Sequence, residues 1–135
     1  MAQPLSGITP GGAPFARDLT EPPWTLLLFL STTCDGCAAL WRAFSEPSHE
    51  LLADTSTVLV TRAPPTEAAE KVAALGGAGE LVMSESAWTD YGVHSGPFFV
   101  LVDGARSMVA TEGVAWSVEQ IVGAVEAALA GPRDA

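Results

Sequence analysis

A chain of 135 residues has the length of one domain, and with 48% apolar residues it can bury a sizeable core. Its 16 acidic against 6 basic residues give a net charge of −10, which repels phosphate backbones and sets nucleic-acid binding aside. No apolar run reaches the about 20 residues a membrane-spanning helix needs, and the start lacks the basic and apolar stretches of a secretory signal.

Residues 1–22 read as an irregular N-terminal arm rich in proline and glycine, with one short strand near Phe15 to Leu19. Residues 23–131 read as the domain proper, and 132–135 as a tail. Trp24 to Leu30 is continuously apolar, the pattern of a central strand buried on both faces. Ser31, Thr32 and Thr33 then offer helix caps. Cys37, Leu40, Trp41 and Phe44 fall at i, i+3, i+4 and i+7, one apolar face of a helix. Pro47 ends or kinks that helix, with a further turn at Leu51 and Leu52.

Thr57 to Thr61 is a second β-type run, closed by Pro64 and Pro65. Thr66 to Leu75 reads as a helix with Ala68, Val72 and Leu75 on one side, stopped by Gly76, Gly77 and Gly79. Glu80 to Met83 is a short strand, and Ser84 caps a helix that runs to Tyr91 and stops at Gly92. Phe98 to Asp103 is a dense strand that turns at Gly104, and Arg106 to Thr111 returns antiparallel to it. Ser117 caps a last helix whose buried stripe is Val118, Ile121, Val122, Val125 and Leu129, ended by Gly131 and Pro132. Strands alternating with helices in the first half require parallel pairing, and the late hairpin adds an antiparallel edge. The expected fold is therefore α/β: a central mixed sheet with helices on both faces.

The two cysteines, Cys34 and Cys37, stand three positions apart where a buried strand gives way to a helix. So close a pair constrains little chain, and disulfide-stapled folds spread four or more cysteines along theirs. The first turn of a helix leaves backbone N–H groups unpaired and favours a thiolate there. Cys34 is thus the nucleophile and Cys37, one turn on, the resolving thiol. Asp35 and Gly36 tune the pair: Asp35 sets a negative charge against the helix dipole, and Gly36 keeps the link free of bulk. A zinc site would need a second cysteine pair, and only His49 and His94 remain as soft ligands, without a mutual spacing signature. No metal is assigned, and dithiol chemistry needs no cofactor.

Two segments, Leu26 to Cys37 and Tyr91 to Gly104, resemble the thioredoxin superfamily, in a likeness that extends from about Phe15 to Leu129. The resemblance implies a thioredoxin-like fold and thiol–disulfide exchange with a protein client. It implies that Pro97 is a cis-proline facing the dithiol and that Gly96 and Pro97 shape the groove where the client's extended chain docks. The lead-in Gly12 to Leu19 is similar to that of bacterial thioredoxin-like proteins of cytochrome and amine-dehydrogenase maturation, which are usually extracytoplasmic. The chain itself reads as soluble, so its compartment stays open between cytoplasmic and extracytoplasmic, as does its oligomeric state.

The sequence also departs from the family pattern. Thr33 stands where thioredoxins carry tryptophan, and Asp35-Gly36 replaces Gly-Pro between the cysteines. Leu28 occupies the position of the family's buried carboxylate, so the Cys37 proton needs water or another carboxylate. Two other readings stay beside dithiol exchange: a non-catalytic binding module on the same fold, and a copper-delivery site built from Cys34, Cys37 and His94. A peroxiredoxin reading rests on Ser31 to Cys34 alone and lacks the surrounding proline motif and an arginine partner.

Overall fold

The computed structural model describes residues 4–19, 24–45, 55–77 and 80–130. The strands are β1 (Leu5–Ile8), β2 (Pro14–Arg17), β3 (Trp24–Phe29), β4 (Thr55–Thr61), β5 (Leu81–Met83), β6 (Phe98–Asp103) and β7 (Met108–Val114). The helices are α1 (Ala38–Phe44), α2 (Ala69–Gly76), α3 (Glu85–Asp90) and α4 (Val118–Ala130), with a 3-10 turn at Asp35–Cys37 leading into α1. All seven strands join one sheet in the order β2-β1-β5-β4-β3-β6-β7. The β3–β4 and β4–β5 pairs are parallel, whereas β3–β6 and β6–β7 are antiparallel. The sheet is mixed, as alternating strands and helices followed by a hairpin require.

The unbroken apolar run of β3 follows from its central place, because a strand covered on both faces has no side left for polar residues. Leu26, Leu28 and Leu30 point into one core with Cys37, Leu40, Trp41 and Phe44 of the α1 region, Val72 of α2, and Ile121 and Val125 of α4. Leu27 and Phe29 point the other way, toward Val58, Val60, Ala87, Trp88 and Val100. Helices therefore cover both faces, α1, α2 and α4 on one and α3 on the other. Phe29 meets Trp88 edge-on, with ring centroids 5.2 Å apart.

The strand expected near Phe15 to Leu19 is β2, but the part of the arm before it is not irregular as expected. Residues 4–19 form an antiparallel hairpin, Leu5 opposite Arg17 through Ile8 opposite Pro14, which joins the sheet beside β5. Gly7 permits this approach, because a Cβ there would overlap the Met83 carbonyl oxygen. Leu5 and Leu19 are buried, so this segment adds to the core. Ser84 and Ser117 cap as expected, their hydroxyls accepting from the Ala87 and Gln120 N–H groups at 3.1 Å each. Ser31, Thr32 and Thr33 do not cap α1, whose first position is preceded by Cys37 without a side-chain bond. α2 begins at Ala69 instead of Thr66, and Leu75 faces outward while Ala69 and Val72 pack inward. Pro22, Pro23, Pro47, His49, Leu51, Leu52, Gly79, Gly131 and Pro132 lie outside the described residues, as do the ends assigned to the arm and the tail.

Candidate active site

Three chain segments meet at one end of the sheet, and the strand directions dictate it. β3 ends at Phe29 opposite Phe98, where the antiparallel β6 begins, so residues 30–37 lie beside residues 94–97. β4 runs parallel to β3, so residues 62–67 emerge at the same end. The carboxyl ends of adjacent strands are where open α/β sheets place their chemistry.

Cys34 is partly exposed, and its Sγ lies 3.9 Å from the Gly96 carbonyl oxygen. The Gly96–Pro97 peptide bond is cis. A Cβ on Gly36 would sit 3.9 Å from the Pro97 ring and 4.0 Å from Cys34 Sγ, so Gly36, Cys34 and Pro97 form one surface. Gly96 can be nothing larger without movement: a Cβ there would stand 2.6 Å from the Phe29 carbonyl oxygen. The Pro97 carbonyl accepts from the Ala115 N–H at 3.0 Å, and the next residue, Trp116, is 80% exposed. The side chain of Asp35 lies outside the described part of the structure.

Cys37 is fully buried, and its thiol is pushed up to about 12 from 9.0. Burial is the main cause. A hydrogen bond with the Cys34 side chain also raises it, a backbone hydrogen bond at Ser31 lowers it, and the charges of Cys34 and Glu67 raise it further. Trp41 holds the loop ahead of the dithiol, its indole N–H donating to the Ser31 carbonyl at 3.1 Å.

Beside the dithiol opens a cavity of about 310 Å³ whose lining includes Cys34, Arg62, Glu67, Trp88, His94 and Gly96. Glu67 is only 5% exposed. The Thr32 hydroxyl donates to its Oε1 at 2.6 Å and the Thr32 N–H to its Oε2 at 3.3 Å. Arg62 is held by Glu85 at 3.0 Å and by the His94 carbonyl at 3.4 Å, with its guanidinium 4.5 Å above the Trp88 ring. His94 is exposed at the cavity edge. Among the described residues no group of three His, Cys, Asp or Glu side chains converges to hold a metal, so His94 does not join the two cysteines in the copper set considered from sequence.

No protein-family model matches this chain, and no curated protein matches it. Solved structures do. The DsbF of Mycobacterium tuberculosis, in mixed oxidized and reduced forms, superposes with a TM-score of 0.69 over 92% of this chain and 94% of its own, at 20% identity. A secreted M. tuberculosis disulfide oxidoreductase homologous to E. coli DsbE gives a TM-score of 0.68 over 91% and 95%, also at 20% identity. A thioredoxin-family thiol:disulfide interchange protein from Chlorobium tepidum gives 0.70 over 95% and 94%, at 19% identity. The fold is thioredoxin-like.

Within this thioredoxin-like frame the structure brings together Cys34, Gly36, Gly96 and Pro97, with Cys37 directly behind. Leu28 shares the buried cluster of Cys37, so the place of the missing carboxylate is filled by apolar packing. Glu67 was not legible as a site residue: it is one of 16 acids and stands 30 positions beyond Cys37. Its signal is topological. Whatever follows a strand parallel to β3 must arrive beside whatever follows β3.

Proposed function

We propose that this thioredoxin-like protein is a thiol–disulfide oxidoreductase acting on protein clients. Cys34 attacks a client disulfide, one client sulfur leaves as a thiol, and a mixed disulfide forms. Cys37 then attacks the Cys34 sulfur, releases the second client thiol and closes the Cys34–Cys37 disulfide. Two electrons pass from the dithiol to the client, and the reverse sequence oxidises one. Gly96 and Pro97 present the edge along which the client's extended chain docks.

One observation carries this reading: an accessible Cys34 sulfur sits on the Gly96–Pro97 surface while its partner thiol is buried behind it. A bare binding module has no need of such asymmetry. The disulfide oxidoreductases among the similar structures support the same chemistry.

An equilibrium redox titration with thiol trapping tests it, and a reversible two-electron transition is expected. A potential near about −270 mV marks a reductant, and one near about −120 mV an oxidant. A dithiol that forms no disulfide at any poise overturns the proposal and leaves a binding module.

A further inference from the structure

From the placement of its carboxyl group, bonded to Thr32 in the loop just ahead of the dithiol, we infer that Glu67 is the acceptor for the Cys37 proton in the resolving step. The inference rests on the exchange reaction proposed above and adds a residue to it. Cys37 can attack only as a thiolate. Burial keeps that thiol protonated well above neutral pH, so a proton lost only to bulk solvent leaves the attacking thiolate scarce at pH 7. Leu28 offers no acceptor on the side of the sheet where Cys37 is buried.

Glu67 meets the need from a different element. It is buried at the sheet end that carries the dithiol, it shares a cavity with Cys34, and its charge acts on Cys37. Burying a carboxylate is costly unless something holds it. Both its oxygens accept from Thr32, two residues ahead of Cys34, which locks the acid to the active-site loop. Arg62, the nearby cation from the end of β4, is committed to Glu85 at the start of α3 and to the His94 carbonyl. The imidazole of His94 stands at the exposed edge of the same cavity. The cavity of about 310 Å³ beside Glu67 and Cys34 has room for water that takes the proton on to solvent.

The step balances. The Cys37 thiol gives its proton to the Glu67 carboxylate, its sulfur attacks Cys34, and the Cys34–client bond breaks. The departing client thiolate or solvent then takes the proton from Glu67.

Stopped-flow reaction of the reduced full chain with 5,5′-dithiobis(2-nitrobenzoate) separates the steps. The first thionitrobenzoate release is attack by Cys34, and the second is attack by Cys37 on the resulting mixed disulfide. In the unmodified protein the second phase should reach a plateau through neutral pH. A second phase that climbs tenfold per pH unit toward pH 12 overturns the inference without any variant. In Glu67→Gln the second phase should slow at least tenfold relative to the first near pH 7 and converge with the parent at high pH.

A carboxylate acting only through its charge predicts the opposite, because removing that charge makes the Cys37 thiolate easier to form. An equal or faster second phase in Glu67→Gln therefore also overturns the inference. Glu67→Asp should recover part of the rate, and a Glu67→Asp variant as slow as Glu67→Gln counts against an acid–base role. If the unmodified protein shows no second phase, it is the exchange reaction itself that fails, a result distinct from those above.

Discussion

The two cysteines differ in kind although they stand three residues apart. Cys34 is within reach of solvent, whereas Cys37 keeps its proton to about 12 chiefly because it is buried. The sign of that shift gives a direct expectation for alkylation, since only a thiolate reacts with iodoacetamide. At pH 8 the reduced protein should take up one adduct, at Cys34. A second, at Cys37, should appear only as the pH is raised toward 12, and intact-mass measurement across that range reads both. Two rapid adducts at pH 8 would show that Cys37 is not protected. Gly96 is as constrained as the cysteines, by backbone instead of chemistry. In Gly96→Ala the new methyl meets the Phe29 carbonyl oxygen at 2.6 Å, and the segment leading into β6 must move off the end of β3 to admit it. A loss of about 1–3 kcal/mol is expected from overpacking of this kind, measured as a lower urea midpoint at unchanged slope.

At the scale of elements, what could be read from sequence was whatever periodicity encodes. β6 spans Phe98–Asp103 as expected, and the face drawn by Cys37, Leu40, Trp41 and Phe44 is buried at all four positions. Burial on both sides makes β3 legible, because no alternation is needed where no face is wet. β1, and with it the hairpin, escaped for the converse reason, although a strand near β2 was expected. The hairpin's strands are four residues each, partly exposed, and joined through Pro10, Gly11 and Gly12, so local composition marks a turn and one strand but not the partner. The Ser31–Thr33 hydroxyls were misassigned because a cap and a tertiary tether use the same side chains. Thr32 is engaged by Glu67, 35 residues away, while Ser31 and Thr33 bond each other at 3.0 Å. The dithiol and Pro97 were legible as motifs. Glu67 was not, since a buried acid is marked only by the strands that bring it in.

Across the whole molecule, the sheet order sets a gradient of stability. β3, β4 and β6 are paired on both edges, whereas β1 meets β5 through the single Ile8–Met83 register pair. Backbone amides of Leu5–Ile8 should therefore exchange with deuterium well before those of Trp24–Phe29, as read by peptide-resolved mass spectrometry. Equal protection would mean that the hairpin unfolds only with the rest. The antiparallel β3–β6 pair has a further consequence. Cys34 and the Gly96 carbonyl that faces it are separated by 62 positions, so the two halves of the site are not made together. A ribosome adding about 5–20 residues per second delivers the dithiol several seconds before the strand that completes its docking edge. During that interval the nascent chain carries two thiols with no surface to select what they meet, and selectivity arrives only when β6 slots in beside β3.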